Sequence, residues 1–347
     1  MNRYGRATAV LAFALAAAAC SGDPAPPSPS AAPPAASAGT EPPAASPGAS
    51  TGAKSGATRF YVDADGAAAR ELRRVTEQGR TEEAALLKRI AERSAAIWIG
   101  DRDPHDRVRD ITTAAQRAGR VPVLVAYHIP DRDCGQFSAG GAADAGEYRA
   151  WIARFAEGIG DRPAWVVVEP DALAHILDDC TRGGRAAERL GLLREAVQTL
   201  KRRPATRVYL DAGNAGWIAD PAAWIGPMRE AGVEEADGFA FNVSNFFTTE
   251  ESSEVARRLS DGLGGAHFVI DTSRNGNGPL REGGDSWCNP KGRALGAEPT
   301  TRTGDERLDA LLWVKRPGES DGECGRGEPR AGDWFHGYAL DLARNTR

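Results

Sequence analysis

The sequence predicts an α/β fold of the (β/α) barrel kind, and an imperfect one. Three observations carry that reading. Short apolar, β-branched runs recur about eight times along the chain. Most are continuous rather than alternating, which suits strands covered on both faces of a parallel sheet. Stretches with helical spacing separate them, as repeated strand–helix units require. The segment that holds these units, Arg59–Arg347, is about 290 residues long, an ordinary size for one such barrel.

In chain order, the expected strands are Phe60–Val62, Ala96–Ile99, Val121–Tyr127, Trp165–Val168, Val208–Leu210, Phe239–Phe241, Phe268–Ile270 and Leu311–Val314. Between them, Ala143–Ile159 places Tyr148, Trp151, Ile152 and Phe155 three and four residues apart. That spacing puts them on one face of a helix. Ala186–Leu200 does the same with Leu190, Leu193, Val197 and Leu200. Trp151, Trp165, Trp224 and Trp313 lie within such patterns and read as core.

In a barrel of this kind, chemistry collects at the carboxyl ends of the strands. Here nearly every run ends in a carboxylate, an amide or a cation: Asp133, Glu169 and Asp171, Asp211 and Asn214, Asn242 and Asn245, Asp271, then Lys315, Glu319 and Asp321. Trp98, Trp217 and Trp287 fall near the same ends. Such a rim suits a neutral, hydroxyl-rich polymer, whose ring faces stack on aromatics and whose hydroxyls need donors and acceptors. Each residue also has a plainer reading. Asp171 could cap a helix, and Asp321-Gly322 could be a turn.

The amino-terminal part reads differently. Arg3 and Arg6 precede an unbroken apolar run, Ala7–Ala19, too short to span a bilayer. It reads as a signal peptide. Residues 1–20 end in small residues and Cys20, a pattern similar to a bacterial lipoprotein signal with Cys20 as the lipidated residue, although Ala17 replaces the usual leucine. Residues 21–58 carry nine of the 22 prolines and no bulky apolar side chain. That segment cannot bury enough surface to offset its ordering entropy, and it reads as an extended tether. The protein is therefore expected outside the cytoplasm, anchored by lipid.

Cys134, Cys180, Cys288 and Cys324 remain, an even set in an exported chain. Disulfides are the expected use, with three pairings possible. No CxxC pair occurs and no histidine sits at ligand spacing from them, so a metal site is disfavoured. The net charge of −5 is mild, and no basic block interleaved with aromatics points to nucleic acid. No cofactor is implied, and the protein is expected to act as a monomer.

Five strings, in order, resemble glycoside hydrolase family 6: Asp-Arg-Asp133-Cys134-Gly, Val-Val-Glu169-Pro-Asp171, Ile-Asp271-Thr-Ser-Arg-Asn-Gly-Asn-Gly, Trp287-Cys288-Asn-Pro and Trp-Val-Lys315-Arg-Pro-Gly-Glu319-Ser-Asp321-Gly. The resemblance implies a distorted, incomplete α/β barrel and inverting hydrolysis of cellulose or related β-1,4-glucans. It implies Asp171 as general acid, with a pKa raised by a nearby carboxylate. Asp133 would be that carboxylate. Asp321 would be the base, with a water-relayed path ending near Asp133 as the other possibility. Tyr127, Trp98, Asp211, Trp217, Asn242, Trp287, Lys315 and Glu319 would contact substrate or support the site. Cysteine pairs Cys134–Cys180 and Cys288–Cys324 are implied by the same likeness.

Two positions depart from the family's pattern. A serine that helps hold the catalytic water is Ala139 here, with Ser138 just before it. A histidine position is Asn214. The compact loops after Ala139, between Asn277 and Trp287, and between Pro317 and Cys324 favour an open cleft and endo cutting. A cellobiohydrolase of the same family is the alternative. A glucan-binding lipoprotein without catalysis is the reading from another class.

Overall fold

The computed structural model describes residues 57–100, 103–177, 180, 184–281 and 286–347. The predicted signal, the tether to residue 56 and Cys20 lie outside them. Ser55–Arg347 forms one compact unit.

Its elements run α1 (Ala67–Glu77), α2 (Thr81–Ala91), β1 (Ile97–Ile99), α3 (His105–Arg117), β2 (Val123–Ala126), α4 (Ala145–Ile159), β3 (Ala164–Val168), α5 (Ala174–Leu177) and α6 (Gly184–Lys201). They continue with β4 (Thr206–Asp211), α7 (Ala222–Glu230), β5 (Gly238–Phe241), α8 (Thr249–Gly262), β6 (Phe268–Asp271), β7 (Leu308–Leu312) and α9 (His336–Asn345). The seven strands form one parallel sheet in sequence order, β1 to β7. The imperfect (β/α) barrel expected from the sequence is therefore the fold found.

The sheet curls so that both faces are covered, which explains the continuous apolar runs. Alternate residues Leu124, Val166, Leu210, Phe239 and Ile270 join the core beneath the helices. Their neighbours Val125, Trp165, Val167, Tyr209, Val269 and Leu312 fill the interior. Helix α4 shows why its sequence folds as it does. The Asp144 side chain accepts the Glu147 N–H, and Gly160 ends the helix at φ 59°. The buried face carries Tyr148, Trp151, Ile152, Phe155 and Ile159. The four tryptophans read as core are buried.

Between β7 and β1 the ladder stays open. Crossing that seam, the Ala96 N–H donates to the Trp313 carbonyl at 2.8 Å. The Trp98 indole N–H donates to the Val314 carbonyl at 2.8 Å.

Two strand expectations need correction. Phe60–Val62 forms no strand; Phe60 makes a single parallel bridge to Val121. Its ring packs edge-on against Trp165 at 5.2 Å inside the sheet, so its apolar character serves as a plug. The last strand is Leu308–Leu312, earlier than the expected Leu311–Val314. The N–H groups of Val314 and Lys315 turn instead to the Asp271 carboxylate, at 3.1 and 2.8 Å.

Candidate active site

Parallel register sets the site's level. Ala126 pairs with Val168, Val168 with Leu210, Asp211 with Ala240, Phe241 with Ile270, and Asp271 with Leu312. The residues that follow β2, β3 and β5 therefore emerge at one rim beside Asp211 and Asp271, the last residues of β4 and β6. Asp133, Glu169, Asp171 and Asn242 all hold positive φ between 47° and 69°. The chain bends sharply at each strand end, at a conformational cost typical of functional loops.

Tyr127 stands at the centre. It is buried, with its ring edge-on to Trp98 at 5.1 Å and beneath the Arg132 guanidinium at 4.6 Å. Burial pushes its phenol well above the ordinary range, and the charges of Asp171 and Asp133 push it further. Both carboxylates thus bear on the same hydroxyl.

Asp171 is fixed through its backbone. Its N–H donates to Asp211 Oδ2 at 2.9 Å, and the Gly213 N–H donates to the same oxygen at 3.2 Å. Asp211 is itself 1% exposed, and its Oδ1 has no hydrogen-bond partner among the described residues. Burial raises its pKa to about 7, against the two amide donors that lower it.

Two further carboxylates act as ties. Glu169 accepts the N–H groups of His128 and Ile129 at 2.9 to 3.0 Å and the Tyr148 hydroxyl at 3.0 Å. It is fully buried, and burial pushes its pKa up to about 7. Asp271 accepts four backbone N–H groups, from Ser244, Ser273, Val314 and Lys315, at 2.8 to 3.1 Å. It thereby joins the ends of β5, β6 and β7.

Asp321 has a different environment. Arg274, 0% exposed, reaches its two oxygens at 2.7 and 2.9 Å. Lys315 Nζ lies 3.1 Å from Oδ1, and the Asn289 N–H donates to Oδ2 at 3.0 Å. The Asn289 side-chain oxygen accepts the Asp321 N–H in return, at 2.8 Å. Burial would raise this carboxyl, but Arg274 and Lys315 outweigh it and hold the pKa below the usual value.

Asp133 is held by its own loop. Its Oδ2 accepts the Ser138 N–H at 2.6 Å, so Ser138 lies against it. Arg132 fixes the same loop, donating to the carbonyls of Tyr127 and Ser138 at 2.7 and 2.8 Å.

Disulfides Cys134–Cys180 and Cys288–Cys324 are both present. The first pins the Asp133 loop, and the second ties Trp287's loop to the segment after Asp321. Trp217 and Trp287 are 49% and 43% exposed. Trp217 lies over Gly213, where a Cβ would come within 3.0 Å of its ring. Trp98 is half-buried on β1.

Three expected substrate contacts sit deeper than the sequence suggested. Asn242 is fully buried, and its amide donates to the carbonyls of Phe247 and Asp271. Asp211 turns its Oδ2 to loop amides. Glu319 is 4% exposed and paired with Arg316 at 2.7 Å. Buried backbone groups at strand ends need partners, and Asn242 and Asp211 supply them. Sequence reasoning also left Arg274, Asn289 and Arg132 without roles. All three stood inside the quoted strings, but their partners are distant in sequence or are backbone atoms.

A family model described as glycosyl hydrolases family 6 matches residues 55–346. Endoglucanase A of Cellulomonas fimi is 46% identical over 76% of this chain and 57% of its own length. The chain therefore spans little more than half of that relative. Endoglucanase 1 of Streptomyces halstedii is 43% identical over 77% of this chain and 83% of its own length. Among solved structures, the endoglucanase Cel6 of Mycobacterium tuberculosis, in complex with methyl-cellobiosyl-4-deoxy-4-thio-β-D-cellobioside, matches with TM-score 0.78. It is 46% identical, over 83% of this chain and 97% of that one. The catalytic core of the cellobiohydrolase Cel6A of Chaetomium thermophilum matches with TM-score 0.73 at 26% identity, over 84% and 97%.

Proposed function

The chain belongs to glycosyl hydrolase family 6, and from that premise we propose that it is an inverting endo-β-1,4-glucanase acting on cellulose or a related β-glucan. The observation that carries the reading is the placing of Asp171 and Asp133 on sharply bent strand-end loops at the rim that buried Tyr127 occupies, the first tied to Asp211 and the second to Ser138 and Arg132. Inverting hydrolysis needs a carboxylic acid for the leaving oxygen and an acceptor for the proton of an attacking water. Asp171 is the acid, on a turn held rigid by Asp211. A neighbouring carboxylate such as Asp133 favours its protonated form by like-charge repulsion. Tyr127 and Trp98 shape the floor beneath the scissile bond, with Trp217 and Trp287 as stacking platforms. Lys315 would face sugar hydroxyls.

Two carboxylates are candidates for the proton of water. Asp321 is the one implied by resemblance to the family. Its pairing with Arg274 and Lys315 stabilises the anion and weakens it as a base. Asp133 accepts a neutral amide N–H, from Ser138, where Asp321 faces two cations, and this contrast favours a second route, in which the proton passes by water to Asp133 while Asp321 stays anionic. Ser138 is then the hydroxyl available where Ala139 has none.

Greater identity to relatives named endoglucanases than to the cellobiohydrolase core supports internal cutting. Two disulfides fit an oxidising, extracellular setting, and the Cys20 pattern adds a lipid anchor to this reading. The test is hydrolysis of a soluble β-1,4-glucan followed by viscometry and by NMR of the first anomer released. Fast viscosity loss with an initial α-anomer supports the proposal. An initial β-anomer, or full activity in Asp171→Ala, would overturn it.

A further inference from the structure

The loop after β2 carries one large side chain with no place in the reading so far, Phe137. Arg132 and the Arg132–Gly140 bridge hold the base of this loop, and Phe137 lies near its tip, 46% exposed. The ring does not point away from the site. Its centroid is 5.4 Å from that of Trp287, with the planes tilted by 57°. It also covers Gly322, where an added Cβ would fall 2.6 Å from the Phe137 ring. Gly322 directly follows Asp321. One side chain from the β2 loop therefore touches both loops that follow β6 and β7, across the seam where the sheet stays open. Each loop in this contact is pinned by a disulfide.

We propose that Phe137 is a specificity-determining residue of the glucan cleft, closing it locally as an aromatic clasp with Trp287 and Gly322. This rests on the glucanase reading above. The short loops alone would leave the groove open along its length. The clasp instead spans it at one point, between the loops bearing Asp133 and Asp321. A bare β-1,4-glucan is a flat ribbon that fits beneath one ring and beside a stacked tryptophan. A chain with bulky or charged substituents does not pass the same gap. The contact joins two rings that each keep nearly half their surface in solvent, so a chain entering from the side can displace it.

The test compares the full-length wild-type protein with Phe137→Ala, Phe137→Leu and Phe137→Tyr on cellohexaose and on carboxymethylcellulose. Leu keeps apolar packing on Gly322 but lacks the ring, which guards against a variant that merely fails to fold. For Ala and Leu, KM for cellohexaose should rise roughly tenfold with kcat little changed, the scale of one aromatic contact. The ratio of kcat/KM on carboxymethylcellulose to that on cellohexaose should rise in both, while Tyr behaves as wild type. An unchanged ratio in both Ala and Leu overturns the clasp and leaves the glucanase reading standing. So does a parallel fall of kcat on both substrates, which marks a structural role. A wild-type protein inactive on every β-glucan overturns both readings.

Discussion

The Asp211 carboxylate holds Asp171 by its backbone: Oδ2 accepts the Asp171 N–H at 2.9 Å. The turn that carries Asp171 is thereby fixed by a group that is 1% exposed.

Replacing Asp171 with Asn keeps the turn but removes the transferable proton. General acid catalysis contributes about 10²- to 10⁴-fold, and activity on a glucan should fall within that range. An aryl cellobioside whose leaving group needs no protonation should lose far less. Comparing kcat/KM for the two substrates checks this, and an equal loss on both would count against Asp171 as the acid.

Asp211 predicts a pH effect on stability. Burial raises its pKa to about 7 in the fold, above the ordinary 3.8. The folded state then holds its proton more tightly than the unfolded chain. This group's contribution is intact below the unfolded value and is lost as pH climbs toward 7. Asp211→Asn does not titrate. Its melting temperature should fall less than that of the wild type between pH 4.5 and 7, read by thermal melts across that window.

Arg274 is wholly buried against Asp321. Arg274→Met leaves that carboxylate short of its main partner and should cost about 3–5 kcal/mol in urea unfolding. Adding Asp321→Asn removes the stranded charge and should restore part of the loss. Additive losses in the double variant would contradict the pairing argument.

The Cys288–Cys324 bridge closes a loop with a sequence separation of 36. Removing it by a double Ser substitution should lower stability by about 3–4 kcal/mol on loop entropy. It should also weaken oligosaccharide binding at Trp287, measured by tryptophan fluorescence titration.

Much of this was legible in the sequence because it is local. Apolar runs mark strands wherever both faces are covered, and seven of the eight expected runs became strands. Phe60–Val62 misled because a plug and a strand end share the same residues. At the rim, residue type marked where side chains would gather but not what they would bond. Asn242 and Asp211 also bond buried carbonyls and amides, a use that residue type alone does not announce. Asp321 looks like a free base until Arg274, 47 residues away, is found against it. Such pairings are set by how loops fold over one another, which periodicity does not encode.

The open seam between β7 and β1 has a consequence of its own. In a closed barrel, strand number and shear fix the radius. Here, among the described residues, one main-chain bond and one indole N–H hold the two edges, and no ladder fixes the gap. Groove width becomes a property of a few side chains, and it can widen or narrow by single substitutions without moving any strand out of register.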